Sequence, residues 1–169
     1  MPGDASFNLG AFCMKIEEKL IRRLKQTRKT LSLAESCTGG WVAKRLTDVP
    51  GASSVFQVGV VTYSAKAKQK ILKIPAQTLK RYGEVSEQTA FLMAKGAQKI
   101  SKTDYAASIT GIAGPTGGTK AKPIGTVCFA LLSKNRHHIK KVVFHGNRTQ
   151  IRSQSVTTVL ELLYRWIKE

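Results

Sequence analysis

The chain has no run of about 18 apolar residues, few cysteines and few acidic residues. The first absence argues against a membrane-spanning helix. The first ten residues lack a basic segment followed by an apolar stretch, which argues against a secretory signal. Cys13, Cys37 and Cys128 cannot all pair, and their spacing suits neither a disulfide framework nor a zinc site. We therefore expect a cytoplasmic protein that uses no metal and no cofactor and does not associate with membranes.

Acidic residues number 10 against 28 Lys and Arg, so the net charge is +18 at pH 7. None occurs between Asp48 and Glu84 or between Asp104 and Glu161. A two-carboxylate hydrolase or an all-oxygen metal cage is hard to build from so few carboxylates. The positive charge favours an anionic partner, but nucleic acid, phosphorylated metabolites and acidic lipid all satisfy that requirement.

Length and patterning predict one folded unit. The chain of 169 residues fits a single domain, and it contains neither an internal repeat nor a Pro/Ser-rich linker. We expect an N-terminal extension over residues 1–11 and one domain over residues 12–169.

Helical and strand patterns alternate along that domain. Apolar residues recur at fours over residues 12–24, which is typical of an amphipathic helix. Further helices are expected at 41–46, 64–74 and 75–82, after an N-cap at Ser86, and at 149–167, the last with Ile151, Ser155, Thr158 and Leu162 on one side. Strands are expected at 31–34, 55–63 and 105–110, the second of them largely buried.

Segments 124–132 and 139–145 predict an antiparallel hairpin with His137 and His138 at its tip. The whole order predicts an α/β fold, a single three-layer α/β/α domain around a mixed sheet with one antiparallel hairpin.

Two glycine-bearing turns follow predicted strands, which is where open α/β sheets bind ligands. The first, Ala-Glu-Ser-Cys-Thr-Gly-Gly at 34–40, carries Ser36, Cys37 and Thr38 as possible nucleophiles or donors. The helix after it offers unpaired N–H groups. An ordinary N-cap with small residues explains the same letters, and no glycine stands two residues before Ser36 as a Gly-x-Ser-x-Gly elbow requires.

The second turn, residues 110–118, contains four glycines and one proline, a composition that can wrap backbone amides around an anion. No Gly-Lys-Ser/Thr ends it, so it is not a Walker A loop. A simple connection explains it equally well.

Lysines and arginines supply the remaining candidates. Tyr63 ends the predicted strand at 55–63, and Lys66 and Lys68 follow it. A desolvated lysine beside a serine can act as its base, although most lysines in such a run are solvated. Arg148 and Arg152 begin the last helix, where arginine suits phosphate binding.

Six segments in order resemble one family. They are Ala-Glu-Ser-Cys-Thr-Gly-Gly (34–40), Thr-Asp-Val-Pro-Gly-Ala-Ser (47–53), Val-Thr-Tyr-Ser (61–64), Gly-Glu-Val-Ser (83–86), Thr-Gly-Ile-Ala-Gly-Pro (110–115) and Lys-Pro-Ile-Gly-Thr-Val (122–127). Residues 12–166 resemble the CinA C-terminal domain family, also called PncC, the nicotinamide mononucleotide deamidases.

The resemblance implies hydrolysis of the carboxamide of nicotinamide mononucleotide to nicotinate mononucleotide and ammonia. Ser36 would be the nucleophile or would orient the attacking water, and Tyr63 and Lys68 would assist proton transfer. Residues that would bind the substrate are Thr38, Gly39, Thr110, Gly111 and Arg148. The family also implies a homo-oligomer.

The sequence departs from the family pattern at Ala65, where Asn is usual, and at Asn147, where Asp is usual. The separate nucleotide-processing domain of full-length CinA proteins is not in this sequence, so we expect their second activity to be absent. One alternative is a catalytically weak protein that binds nucleotides or nucleic acid through its basic surface, although it has no nucleic-acid-binding signature and at most weak, non-specific binding is expected. Another is a non-amide hydrolase of a related pyridine nucleotide.

Cys37 competes with Ser36 for the role of nucleophile, because a thiol is intrinsically the more reactive group. Ser36 is favoured because no histidine lies near the motif in sequence and because a lysine suits a serine partner.

Overall fold

The computed structural model describes residues 14–167, so the predicted extension at 1–11, the start of the first predicted helix and Cys13 lie outside the described residues. The helices in this part of the chain are α1 (Ile16–Gln26), α2 (Trp41–Thr47), α3 (Ala65–Leu72), α4 (Ala76–Tyr82), α5 (Glu87–Ser101) and α6 (Arg148–Trp166). The strands are β1 (Leu31–Glu35), β2 (Phe56–Val61), β3 (Tyr105–Gly111), β4 (Thr126–Leu132) and β5 (His137–Val143). A short 3-10 turn, Ala52–Ser54, precedes β2.

The five strands form one open sheet in the order β2-β1-β3-β4-β5. β1 pairs in parallel with both β2 and β3, whereas β4 runs antiparallel to β3 and to β5. The predicted α/β fold with a mixed sheet and one antiparallel hairpin is therefore confirmed.

The two faces of the sheet carry side chains of different size. Helices α1, α2 and α6 cover the face that presents the large residues Leu31, Leu33, Ile109, Phe129 and Leu131. Helices α3, α4 and α5 cover the other face, where the strands present small residues: Ala34, Ala106, Cys128 and Ala130. Burial of both faces supplies the hydrophobic stabilisation of the fold.

Small residues let α5 lie close to the sheet and to its neighbours. Ala90, Ala94 and Ala97 of α5 are fully buried, and Ser108 on β3 donates a hydrogen bond of 2.5 Å to the carbonyl of Ala90. Ser86 caps the helix as predicted, since its hydroxyl accepts from the Thr89 amide at 3.1 Å.

Three local predictions were wrong. The segment predicted as a largely buried strand forms β2, which is an edge strand of alternating exposure, because only β1 pairs with it. His137 and His138 lie in β5, opposite Leu132 and Leu131, and not at the hairpin tip. Both are exposed, since β5 is the other edge of the sheet.

The third concerns the buried side of α6. Ile151 and Ser155 are buried as predicted, but Thr158 and Leu162 are only partly buried. The buried positions of the following turns are Val159, Leu160 and Leu163. The buried side of α6 is thus rotated by about one residue from the side that the sequence suggested.

Among residues 14–167, no helix is long and apolar enough to cross a bilayer.

Candidate active site

The candidate site lies at the edge of the sheet where the parallel strands β1, β2 and β3 end. Pairing continues past these strands, since the Ser36 amide donates to the Ile109 carbonyl at 3.0 Å and the Thr62 amide donates to the Glu35 carbonyl at 2.9 Å. The segments that follow the strands therefore meet at one place. They enclose a pocket of about 180 Å³ lined by Ser36, Cys37, Tyr63, Lys68, Glu84, Val85, Thr110, Gly111, Ala113 and Arg148.

Ser36 and Lys68 are in direct contact in this pocket. Lys68 Nζ lies 3.1 Å from Ser36 Oγ, and it also donates to the Thr62 carbonyl at 2.9 Å and to Glu84 Oε2 at 3.1 Å. The lysine is 1% exposed and the serine 7%. A buried lysine with these acceptors is fixed in one position beside the serine hydroxyl, which is the arrangement of a nucleophile and a base.

The phase of α3 explains why this lysine alone points inward. Ser64 caps the helix, and Lys68 and Leu72, four residues apart, form its buried side. Lys66, Lys70 and Lys73 are exposed. The helical period thus selects one residue of a lysine-rich segment for the pocket.

Glu35 and Arg152 hold the Ser36 turn in place. The Glu35 carboxylate accepts hydrogen bonds from the amides of Gly40 (3.0 Å), Val42 (3.2 Å) and Ala43 (2.8 Å). The expectation that the start of α2 offers unpaired amides to a ligand was therefore wrong, because a carboxylate of the same chain binds them.

Arg152 was a candidate for phosphate binding, but its guanidinium binds this turn. Its Nε donates to the Cys37 carbonyl at 3.0 Å and its Nη2 to the Thr38 carbonyl at 2.8 Å. The same guanidinium lies 5.4 Å from the ring centre of Trp41. Arg152 does not line the pocket.

One backbone amide of the turn is a candidate donor to a ligand. Cys37 lines the pocket, and its N–H group donates to no oxygen within residues 14–167, whereas Thr38 is fully buried and does not line the pocket. An amide directly after a nucleophile is a common part of an oxyanion hole. Its position makes the Cys37 amide the candidate donor to a negatively charged oxygen formed beside Ser36.

The Cys37 thiol is packed inside the protein. Gly111 faces it so closely that a Cβ on the glycine would lie 3.1 Å from Cys37 Sγ. Burial raises the pKa of Cys37 to about 12, against the effect of the residue's own backbone amide, and the nearby Glu35 carboxylate acts in the same direction as burial. Cys37 is therefore a neutral thiol at physiological pH, although it lies next to Ser36.

Arg148 closes the opposite side of the pocket. Its Nη1 donates to the Gly114 carbonyl and its Nη2 to the Tyr63 hydroxyl, both at 2.7 Å. Tyr63 is 60% exposed, so this pair lies at the mouth. The neighbouring Asn147 caps α6, and its side chain accepts from the Gln150 amide at 3.0 Å. Asn147 thus has the structural role of a helix cap. Arg148 is oriented by its hydrogen bonds to Gly114 and Tyr63.

The remaining predicted positions differ in their access to the pocket. Thr110 and Gly111 line it, and the Thr110 hydroxyl donates to the Glu84 carbonyl at 2.8 Å. Thr38 is fully buried, and its hydroxyl has no hydrogen-bond partner among the described residues. Gly39 is exposed, with φ of +62°. Neither Thr38 nor Gly39 lines the pocket. Ala65, the position where the family usually has Asn, is the first residue of α3 and does not line the pocket either.

Glu84 is a pocket residue that the sequence did not single out. It lies between α4 and α5, and its side chain contacts Lys68. The only signal was its place in the Gly-Glu-Val-Ser segment. Over residues 14–167, no three His, Cys, Asp or Glu side chains come together as metal ligands would.

Fold and site define an open-sheet α/β protein with a serine–lysine pair where its parallel strands end. Residues 13–167 match the family described as CinA C-terminal domain, and the chain belongs to that family. It is 46% identical over 155 residues to a CinA-like protein of Thermotoga neapolitana. The aligned region covers 92% of this chain and 38% of that protein. The chain thus spans little more than a third of this curated relative.

Solved structures resemble it over almost their whole length. A competence-damaged protein (CinA) superfamily protein from Klebsiella pneumoniae is 32% identical, with a TM-score of 0.87 over 90% of this chain and 95% of that one. The competence/damage inducible protein CihA from Agrobacterium tumefaciens is 38% identical, with a TM-score of 0.85 over 94% of this chain and 99% of that one.

Proposed function

We propose that the protein is an amidohydrolase that converts nicotinamide mononucleotide to nicotinate mononucleotide and ammonia. The observation that carries the proposal is the 3.1 Å contact between the buried Lys68 Nζ and Ser36 Oγ in a pocket that Arg148 also lines. The resemblance to the deamidases supplies the substrate, and the net charge of +18 agrees with an anionic one.

The reaction follows from the groups in the pocket. Lys68, as a free amine, takes the proton of Ser36, whose oxygen attacks the carboxamide carbon. The carbonyl oxygen gains negative charge, which the amide of Cys37 stabilises. Lys68 then returns the proton to the departing nitrogen, so that ammonia leaves and an ester on Ser36 remains. Water, deprotonated in turn by Lys68, releases the carboxylate and restores the serine.

A second route uses the same residues without the ester. Ser36 then orients a water molecule that attacks the carboxamide directly, and Lys68 is the base for that water. Trapping of an acyl group on Ser36 by mass spectrometry after rapid quenching distinguishes the two routes.

The pocket size suits part of a nucleotide. Sites that bury a drug-sized ligand usually measure about 300 Å³ or more, so a pocket of about 180 Å³ accepts the pyridinium ring and leaves the ribose and phosphate at the mouth. Arg148 lies there, and among the described residues only two of its five N–H groups have an acceptor. The Tyr63 hydroxyl accepts one of them and keeps its own proton for the substrate or the leaving group.

An amide of the glycine-rich loop completes the proposed phosphate site. Ala113 lines the pocket and its N–H group has no acceptor within the described residues, and the loop contains no carboxylate. Backbone amides next to an arginine are a common anion site.

Self-association and a cytoplasmic location stay predictions.

The experiment is ammonia release from nicotinamide mononucleotide by the purified protein, with the acid product identified by mass. Lys68→Met should lower kcat by about 10² to 10⁴-fold, the usual worth of a general base. Lys66→Met, which removes an exposed lysine of the same helix, is the matched control and should retain wild-type activity. Equal turnover by the two variants would reject Lys68 as the base, and no ammonia from the wild type would reject the activity.

A further inference from the structure

A second cavity, which we call the basic cleft, lies beside the catalytic pocket. It measures about 300 Å³, and the residues of its lining that matter here are Arg81, Tyr82, Val85, Ser86, Lys122 and Lys141. Val85 lines both cavities, whereas Glu84 lines only the catalytic pocket and Ser86 only the cleft. The segment that joins α4 to α5 is therefore the wall between the two.

Three separate parts of the chain each bring one cation to the cleft. Arg81 comes from α4, Lys122 from the loop before β4, and Lys141 from β5. One carboxylate, that of Glu87, also lines the cleft, so three cations against one carboxylate leave a net charge of +2. Cations that converge on a concave surface attract an anion more strongly than the same cations spread over a flat one.

Most of the donors of these cations are available to a ligand. Lys122 Nζ donates to the Tyr82 carbonyl at 2.6 Å, which fixes the ammonium and uses one of its three N–H bonds. The Arg81 guanidinium lies 5.2 Å from the centre of the Tyr82 ring. The side chains of Arg81 and Lys141 have no hydrogen-bond or ion-pair partner among residues 14–167.

The buried Cys128 lies close to the charges of the cleft. It pairs with Lys141 across β4 and β5. Burial raises the pKa of Cys128 to about 11, the Glu87 carboxylate acts in the same direction, and Lys141 and Lys122 oppose both. Charges from α5, β5 and the loop before β4 thus act on one thiol, which agrees with their convergence on the cleft.

We propose that the basic cleft binds a phosphate group, at a site separate from the one proposed for the substrate at Arg148. A phosphate dianion has the charge and the acceptor oxygens to take one guanidinium and two ammonium groups from different directions. The volume is at the lower end of small-molecule sites, and Tyr82 and Val85 add apolar surface, so an organic phosphate fits as well as the free ion. The inference does not depend on the proposed activity.

The test is a ¹H–¹⁵N NMR titration of the substrate-free protein with inorganic phosphate, and separately with glycerol 3-phosphate. Sodium chloride holds the ionic strength near 0.15 M, where exposed charges are screened over about 8 Å. The amides of Ser86 and Lys122 should shift and saturate. Tighter binding of glycerol 3-phosphate would support an organic phosphate as the ligand, and equal binding would support the free ion.

Two lysines of β5 provide a matched pair of variants. Lys141→Met should weaken phosphate binding in the cleft about 10-fold, because one charge-assisted contact is lost. Lys140→Met removes the same charge from the next residue, which is exposed, does not line the cleft and points to the opposite side of the sheet. It should leave the affinity within about twofold, since it removes only a distant, screened charge.

Equal weakening by the two variants would overturn the proposal, because it would show attraction to the general surface charge. Shifts at Ser86 and Lys122 that do not saturate, or that disappear in Arg148→Met, would overturn it as well. Loss of the preference for nicotinamide mononucleotide over its riboside in Lys141→Met would make the cleft part of the substrate site and reject a separate one. Saturable binding in a protein that releases no ammonia would support the cleft and reject the proposed function.

Discussion

Arg152 of α6 donates a hydrogen bond of 2.8 Å to the carbonyl of Thr38, a residue that precedes it by 114 positions. Together with the 3.0 Å bond to the Cys37 carbonyl, it ties the turn that carries Ser36 to the last helix. This contact controls where the serine lies although Arg152 does not line the pocket. An arginine selected from the sequence for its charge thus acts on the backbone of the protein.

Loss of this contact should impair turnover more than substrate binding. Arg152→Met should lower kcat about 10- to 100-fold with a smaller change in KM, because a small displacement of a nucleophile is costly. Arg165→Met is the control, since Arg165 lies on the same helix, is 77% exposed and pairs only with Glu161 over the described residues. Steady-state kinetics of the two variants measure the difference, and equal effects would contradict the positioning role.

The phosphate of the substrate should matter through Arg148. Nicotinamide riboside, which lacks it, should have a kcat/KM about 10- to 150-fold below that of the mononucleotide, the worth of a charge-assisted contact of about 1.5 to 3 kcal/mol. In Arg148→Met the two substrates should be hydrolysed at similar rates. Competition assays with both substrates test this, and a preference that survives in the variant would place the phosphate elsewhere.

Gly96 should be essential for the packing of α5. A Cβ there would lie 2.5 Å from the Leu72 carbonyl oxygen, which is backbone and cannot move aside. The clash in Gly96→Ala should therefore lower the free energy of unfolding by about 1 to 3 kcal/mol. The better helix propensity of alanine offsets up to about 1 kcal/mol of that loss. Urea unfolding measures it, with the exposed Lys95→Ala on the same helix as control. A variant as stable as the wild type would mean that α3 and α5 can separate without cost.

The +18 charge should bind nucleic acid weakly and without sequence preference. Such binding depends on counterion release, so it should be measurable near 50 mM salt and fall steeply by 200 mM. Fluorescence anisotropy with two unrelated duplexes tests this. Binding that persists at 200 mM salt and prefers one sequence would favour the alternative of a binding protein.

Part of the candidate site could be predicted from the sequence, because several of its residues lie at the ends of predicted parallel strands. Ser36 follows one predicted strand, and Tyr63 and Thr110 are the last residues of two others. Because parallel strands end at one edge, the meeting of these residues could be expected. Lys66 and Lys68 were equal candidates in the sequence, and only the family resemblance chose Lys68. The period of α3, which puts Lys68 on the same side as Leu72, is the local pattern that selects it.

Contacts between segments that are distant in sequence could not be predicted in this way. Glu84 reaches Lys68 only because α4 and α5 place their connection over the end of β3, and no periodicity encodes that. The binding of the α2 amides by Glu35 depends on the exact path of the turn. The apolar, β-branched composition of β2 resembles that of a buried strand, and its edge position depends on which strands pair.

The central claim is that Ser36, and not the adjacent Cys37, is the group on which hydrolysis depends. The most direct measurement compares ammonia release from nicotinamide mononucleotide by Ser36→Ala and Cys37→Ala, prepared and assayed side by side. Ser36→Ala should lose about 10³-fold or more in kcat, whereas Cys37→Ala should retain most of the activity because its buried thiol, with a pKa of about 12, is not ionised. An active Ser36→Ala and an inactive Cys37→Ala would contradict the account and require a thiol mechanism.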